Sequence, residues 1–195
     1  MRSGSRKTPS WFQYGKPTKG SVIETIDLET TYESCFDESF TIDEICESRN
    51  CPYPSNLLKD SMYVQFLIHF KDKMFVTDDE IKESRYFKTA WRHVETYGPF
   101  NGKSDQSALV QYCREFLNLY RALKTKYNVS WLSSLTAALD NRKYGHAVGF
   151  KILNSDHYMV YDGHHRLACQ YVLGKRLVKL KIVGVKNNNC QAREF

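Results

Sequence analysis

Residues 157–183 read HYMVYDGHHRLACQYVLGKRLVKLKIV, and this stretch decides the fold. It opens with a β-like run over residues 157–161, which pairs with a similar run over residues 150–154 to predict a hairpin. A short helix is predicted over residues 164–173, with a glycine closing its C-terminal end. Residues 178–183 alternate apolar side chains with lysines and predict a strand with one buried face. The order strand, turn, strand, loop, helix, strand predicts a mixed α/β fold.

The junction between the second strand and the helix, YDGHHR over residues 161–166, carries polar chemistry. Gly163 lets the backbone turn and approach a ligand closely, and the unpaired amides that begin the helix favour an anion. Arg166 adds a permanently charged fork that matches phosphate or carboxylate geometry. Asp162 can hold a metal, accept a proton or orient a histidine. The alternative is a structural role, with the aspartate as a helix cap and the histidines on the surface.

The sequence Asp-Gly-His-His-Arg-Leu-Ala, followed by Leu-Gly and the strand at residues 178–183, resembles the ParB/sulfiredoxin superfamily. That group includes ParB-type partition proteins, sulfiredoxins and free serine kinases. The resemblance covers residues 148–185 and extends back through a helix at residues 105–124. It implies a ParB/sulfiredoxin-like small mixed sheet with helices, in the α/β (α+β) class.

The resemblance further implies a nucleotide site, with ATP or another nucleotide and Mg²⁺ as cofactors. Asp162 resembles the kinase-type aspartate that works near magnesium, which makes it the implied metal ligand. Glu115 falls roughly where those kinases keep a general-base glutamate, although that alignment crosses an insertion at residues 126–149. The residues implied to contact phosphate oxygens are Gly163, His164, His165 and Arg166, and those implied to take part in catalysis are Asp162, His164, His165 and Glu115.

Two departures from the superfamily's sequence pattern reduce the range of activities expected of this chain. Sulfiredoxins carry a nucleophilic cysteine in this loop, where the present chain has His164. The nearest thiol, Cys169, lies one turn into the predicted helix and is expected to face inward, so sulfinic-acid reductase activity is not expected. Partition proteins follow this domain with a helix-turn-helix DNA reader, and the short segment after the last predicted strand leaves no room for one. Sequence-specific DNA binding is therefore not expected either.

Helical signals dominate the chain before this domain. Thr77, followed by three acidic residues, predicts a helix start. That helix is expected to run through Val94 until the GPFNG segment at residues 98–102 ends it. Ser104 or Asp105 is expected to begin a long amphipathic helix, because apolar residues recur there at spacings of three and four.

Three further segments complete the predicted organisation. Ser55 or Asn56 is expected to begin a helix over residues 57–69. Residues 131–139 predict a second short helix. The acidic segment at residues 22–47 is expected to cover the surface irregularly or with a short helix.

Composition limits the class of protein. The 195 residues carry a formal net charge of +6, with 42% hydrophobic and 26% charged residues, which is ordinary globular usage. Apolar runs fall short of the roughly 20 residues of a membrane span, and the first 20 residues contain no signal core. The six cysteines lack a second pair at zinc-site spacing and are expected to be reduced, so a cytoplasmic protein without a membrane span is predicted. The predicted division is a flexible basic tail at 1–21, a mainly helical N-terminal extension at 22–104, a ParB/sulfiredoxin-like domain at 105–186 and a C-terminal tail at 187–195.

The leading functional prediction is a nucleotide-dependent, kinase-like phosphotransferase acting on a small-molecule or saccharide-like hydroxyl. Asp162 or Glu115 would take the acceptor proton, and His164 or His165 would stabilise charge. One alternative is a nucleotide-gated module without turnover that binds nucleic acid or another polyanion. Another is a ParB-like metal-dependent nuclease. The polyanion alternative would use a basic C-terminal face formed by Lys175, Arg176, Lys179, Lys181 and Lys186.

Overall fold

Five strands and five helices make up the part of the protein that the computed structural model describes, namely residues 21–33, 57–127, 146–152 and 155–186. The fold is mixed α+β, as the sequence predicts. The predictions for residues 1–20, 34–56, 131–139 and 187–195 lie outside the described residues. Within the described ranges, none of the helices combines the length and apolarity needed to cross a membrane.

The five strands form one mixed sheet in the order β1-β5-β3-β4-β2. The pairs β1–β5 and β3–β4 are antiparallel, whereas β3–β5 and β2–β4 are parallel. The β3–β4 pair is the hairpin predicted from the sequence, and β5 is the predicted alternating strand. The strands are β1 (Val22–Asp27), β2 (Thr31–Glu33), β3 (Ala147–Ile152), β4 (Tyr158–Asp162) and β5 (Leu177–Lys186).

The acidic segment at residues 22–47 contains two strands, so the expectation of irregular cover or a short helix is wrong for its described part. β1 holds Ile26 in the core and pairs it with Val178 of β5. Its Glu24 accepts a hydrogen bond of 2.6 Å from the hydroxyl of Tyr158, so one acidic side chain is used inside the sheet. β1 and β2 therefore add strands to the sheet from before residue 104, which the predicted division assigned to a mainly helical extension.

A 3-10 turn and four α-helices lie between β2 and β3, and a fifth α-helix lies between β4 and β5. The elements are the 3-10 turn (Leu58–Asp60), α1 (Met62–Phe70), α2 (Asp78–Glu83), α3 (Arg85–Tyr97), α4 (Gln106–Tyr127) and α5 (His164–Val172). The last helix, α5, connects β4 to β5, as the sequence predicts.

Side-chain caps decide where the first helices begin. Ser61 caps α1 by accepting a hydrogen bond from the amide of Val64, so this helix starts later than Ser55 or Asn56, the two predicted caps. The 3-10 turn occupies the residues between. Thr77 forms a complete capping box with Glu80, which confirms the predicted start of α2.

Ser84 divides the helix that was predicted to run on from Thr77 through Val94. Its backbone is extended, with a ψ of 147°, and its side chain accepts a hydrogen bond from the amide of Phe87 to start α3. The predicted end of this helix is confirmed, because α3 stops at Tyr97 before Gly98. Asp105 accepts a hydrogen bond from the amide of Ala108 and thereby caps the long helix α4.

Two hydrophobic clusters meet at α5. One lies among the helices around the apolar face of α4 and includes Ala168 and Cys169 of α5. The other lies between the sheet and α5 and includes Leu167. Cys169 is a free, fully buried thiol, as expected from its inward-facing position. Because α5 contributes to both clusters, its N-terminal end is held at the boundary between the sheet and the helices.

Candidate functional site

The turn between β4 and α5 is a close contact that only glycine accommodates. Gly163 adopts a φ of +93°, in the left-handed region that side-chain-bearing residues avoid. A Cβ atom at this position would lie 2.8 Å from the Cβ of Ala147 and 3.0 Å from Nη2 of Arg166. The start of α5 is therefore packed directly against the beginning of β3, with the Arg166 guanidinium beside it.

The N-terminus of α5 differs from those of the other described helices in having no side-chain cap. Gly163 is its N-cap residue, and its first turn contains no acidic residue. Serine, threonine or aspartate caps α1 to α4. The first amides of a helix have no partner within the helix and carry the positive end of its dipole. The start of α5 has the Arg166 guanidinium beside it and no side-chain cap. This arrangement favours an anionic ligand.

Arg166 and Asp162 flank this helix start. Nη2 of Arg166 lies 3.8 Å from Oδ2 of Asp162, which is an ion pair too long for a direct hydrogen bond. The Arg166 side chain is 24% exposed and that of Asp162 is 45% exposed. Both charged groups thus reach the surface next to the Gly163 turn, where the sequence predicted a phosphate ligand and a metal ligand.

The ring of His165 packs into the helical cluster. It stacks on Phe116 with ring centroids 4.0 Å apart and an interplanar angle of 17°. The hydroxyl of Tyr86 lies 2.7 Å from its Nε2 atom. Burial, with a smaller contribution from His164, lowers the pKa of His165 to about 3, so the imidazole is neutral near pH 7.

This placement changes the role of His165 in the predicted site. A neutral ring between Phe116 and Tyr86 does not supply positive charge to a phosphate, so geometry does not support that part of the prediction. Its backbone amide still belongs to the first turn of α5, where amides have no acceptor within the helix. The side chain instead fixes the start of α5 against the helices.

The other two predicted catalytic side chains lie at different distances from the turn. His164 is the first residue of α5, is partly buried, and stacks on Tyr63 with centroids 5.4 Å apart. Glu115 is exposed on α4 and accepts a hydrogen bond from Gln111 of the same helix at 3.3 Å. The residue after it, Phe116, is the one that faces His165. The described contacts of Glu115 therefore do not include the turn, and its role as a general base stays a prediction.

A magnesium ion would have one protein carboxylate at this turn, that of Asp162. No group of three or more histidine, cysteine, aspartate or glutamate side chains in the described ranges is arranged to hold a metal. Mg²⁺ is commonly held by one or two carboxylates together with substrate phosphates. A single carboxylate, that of Asp162, thus suits a Mg²⁺ ion that binds together with a nucleotide better than it suits a metal ion held by the protein alone.

The sequence reasoning missed His146, which immediately precedes β3. Burial and the positive charges of Lys179, Arg166 and Lys181 lower the pKa of His146. The four side chains therefore lie within electrostatic reach of one another. The alternating lysines of β5 are visible in the sequence, but the parallel pairing of β5 with β3 that brings His146 beside them is not.

Comparison of the chain with known protein families, curated proteins and solved structures finds no match. The ParB/sulfiredoxin resemblance stays a prediction from the motif. The functional argument accordingly depends on the geometry and the residue chemistry of the Gly163 turn.

Proposed function

We propose that this protein is a nucleotide-dependent phosphotransferase of the ParB/sulfiredoxin type that acts on a small-molecule or saccharide-like hydroxyl. The observation that supports it most directly is the uncapped start of α5, which lies at Gly163 with the Arg166 guanidinium beside it. The motif resemblance adds the nucleotide and the kinase-like reaction class.

Phosphate binding would use two kinds of donor. The first-turn amides of α5 supply fixed dipoles, and Arg166 supplies charge-assisted hydrogen bonds in a planar fork. Both are held in place before a ligand arrives, because Gly163 is packed against Ala147 and the α5 side chains belong to two hydrophobic clusters. Preorganised donors of this kind stabilise charge without reorganising during the reaction.

The acceptor proton would pass to Asp162, the partly exposed carboxylate next to the turn. Where Mg²⁺ accompanies the nucleotide, Asp162 would be the residue that holds it, and the ion would supply neutralisation of charge. His164 lies at the first position of α5, with its ring stacked on Tyr63. His165 acts as a positioning residue through its contacts with Phe116 and Tyr86.

Calorimetric titration with ATP, ADP and CTP, each with and without Mg²⁺, tests the binding step. We expect at least one nucleotide to bind, and Arg166→Ala to weaken that binding about 10-fold to 100-fold, because hydrogen bonds to charged groups contribute roughly 1.5–3 kcal/mol. Arg85→Ala is a matched control, since Arg85 is exposed on α3 and hydrogen-bonds Gln65. Failure of all three nucleotides to bind the wild-type protein would refute the proposal.

A nucleotide-gated binding module without turnover is the second candidate. It is favoured by the contact of His165 with Tyr86 and Phe116, which links the turn to α3 and α4. Turnover separates the two candidates: an acceptor-dependent conversion of ATP to ADP supports the phosphotransferase. Nucleotide binding without product formation across a panel of hydroxyl acceptors, together with nucleotide-dependent changes in polyanion affinity, supports the module.

A further inference from the structure

Two lysines of β5 project from one face of the sheet. Lys179 and Lys181 alternate with Leu180 and Ile182, which are 0% and 7% exposed in the core between the sheet and α5. Because side chains alternate along a strand, the lysines lie on the opposite face from that core. Their partners on β1 are uncharged, with Thr25 opposite Lys179 and Ile23 opposite Lys181.

The same face continues from β5 toward the Gly163 turn. Lys181 pairs with Val148 of β3, and Val148 in turn pairs with Asp162 at the end of β4. Adjacent strands lie about 4.8 Å apart, so two strand spacings, about 10 Å, separate the backbones of Lys181 and Asp162. The lysines are thus close neighbours of the turn and do not form a remote patch.

His146 lies on the lysine side of the sheet, because it directly precedes Ala147, which pairs with Leu180 of β5. His146 precedes Ala147, whose Cβ would nearly touch a Cβ at Gly163, and the Arg166 guanidinium lies at the same spot. The Nδ1 atom of His146 is buried and has no hydrogen-bond partner in the described part of the chain. A polar atom without a partner, surrounded by cationic side chains, is the environment that an anionic group would complete.

We propose that His146, Lys179 and Lys181 form a second anion subsite adjoining the helix-start subsite of Gly163 and Arg166, so that the ligand carries at least two linked anionic groups. This inference rests on the proposed function, because it extends the same site. The chemical class it selects is a nucleoside di- or triphosphate, with one phosphate at the start of α5 and its neighbour over β5.

A small polyphosphate fits this surface better than a long nucleic acid does. The sequence predicted a continuous basic C-terminal face, but Arg176 is withdrawn from it. Its Nε atom lies 2.7 Å from Oε1 of Glu29, and its guanidinium lies over the ring of Tyr171 at 4.3 Å. Of the four lysines of that face, Lys179 and Lys181 are the two that the pairing of β5 with β3 brings beside the turn.

The test compares the binding of AMP, ADP and ATP, each with Mg²⁺, to the wild-type protein and to Lys179→Gln/Lys181→Gln. We expect the wild-type protein to bind ATP and ADP more tightly than AMP. The double variant should lose about 10-fold or more in ATP affinity, since charge-assisted contacts are lost, while its AMP affinity changes little. His146→Phe should also weaken ATP binding, without a change of formal charge.

The matched control is Lys82→Gln/Lys124→Gln, which removes two positive charges from helices, where each lysine lies 3.8 Å from an aspartate oxygen. It should retain wild-type ATP affinity. Thermal unfolding checks that each variant is folded, and Lys179→Gln alone, at an exposed position, repeats the test if the double variant is unstable.

The outcomes separate the two proposals. If the wild-type protein binds neither these three nucleotides nor CTP, the proposed function fails and the subsite fails with it. If ATP binds but the double variant binds it as tightly as wild type does, the second subsite is refuted and the helix-start subsite stands. If an oligonucleotide binds more tightly than ATP and loses affinity in the double variant, the polyphosphate assignment is overturned in favour of nucleic acid.

Discussion

Replacing Gly163 by alanine tests the close contact at the centre of the site. The new methyl group would lie 2.8 Å from the Cβ of Ala147 and 3.1 Å from its Cα, and the backbone would hold alanine at a φ of +93°. The left-handed conformation costs about 1–2 kcal/mol for a residue with a Cβ. Overpacking against a rigid strand adds about 1–3 kcal/mol. We therefore expect Gly163→Ala to lower the free energy of unfolding by about 2–5 kcal/mol.

Gly174→Ala provides the matched control for the backbone part of this loss. Gly174 follows α5 with a φ of +84°, and a Cβ there would have no atom within 4 Å. Its substitution should cost only the backbone contribution of about 1–2 kcal/mol. The difference between the two variants isolates the contact between the turn and β3.

Urea unfolding followed by circular dichroism measures both losses, with equal m-values required for the comparison. Nucleotide titration of Gly163→Ala should also show weaker binding than Gly174→Ala, because the methyl group would lie 3.0 Å from Nη2 of Arg166 and displace it. Equal destabilisation by the two substitutions would refute the claim that the turn is packed against β3.

Two further predictions concern His165. The pKa of this histidine is about 3 in the folded protein against an ordinary 6.5, so the unfolded chain binds more protons between pH 3 and pH 6.5. The contribution of His165 to the free energy of unfolding should therefore be complete above pH 6.5 and should fall by up to about 1.4 kcal/mol per pH unit below it. Urea unfolding at stepped pH should find this pH dependence missing in His165→Gln, and an unchanged slope in that variant would contradict the reasoning. Tyr86→Phe removes the hydroxyl that lies 2.7 Å from Nε2 of His165 and should lower the free energy of unfolding by about 1–3 kcal/mol, because a buried polar atom loses its partner. The same change made in a His165→Phe background should cost clearly less, and additive losses in this double-mutant cycle would argue against the hydrogen bond.

Local signals in the sequence predicted much of the fold. The capping box at Thr77, the apolar repeat of α4 and the alternation in β5 each depend on residues a few positions apart, and all three elements are present. The Gly163 break between β4 and α5 is of the same kind. Such signals are reliable because backbone hydrogen bonding and capping are determined largely by neighbouring residues.

Elements stabilised by distant partners were harder to predict. β1 is a strand because it pairs with β5, whose residues follow more than 140 positions later, and its apolar residues, Val22, Ile23 and Ile26, do not alternate with polar ones. The boundary at Ser84 was also missed, although serine is a strong capping residue, because the apolar pattern continues across it. Neither result follows from composition, because tertiary packing and one side-chain hydrogen bond decide them.

The two histidines of the turn show the same limit within the site. Successive residues of a helix point about 100° apart, so His164 and His165 necessarily face different surroundings. The sequence does not specify which of them faces Phe116, and the packing of α5 against α4 assigns that position to His165. Likewise, the connection of Lys181 to Asp162 exists only because β5 pairs in parallel with β3.

The position of α5 explains why a ligand site at its start would be rigid. Leu167 fixes one side of the helix in the sheet cluster, while Ala168 and Cys169 fix the other in the helical cluster. His165 adds a stacked ring and a contact with Tyr86 in the first turn. A helix held in this way cannot shift to meet a ligand, so its amides and Arg166 must already be in position. Binding would then require little ordering of the protein, which is the condition under which a few charge-assisted contacts yield useful affinity. The same rigidity means that substitutions at Gly163 or Tyr86 should weaken ligand binding as well as stability, whereas Lys179 and Lys181, on the opposite face of the sheet from the core, should affect binding alone.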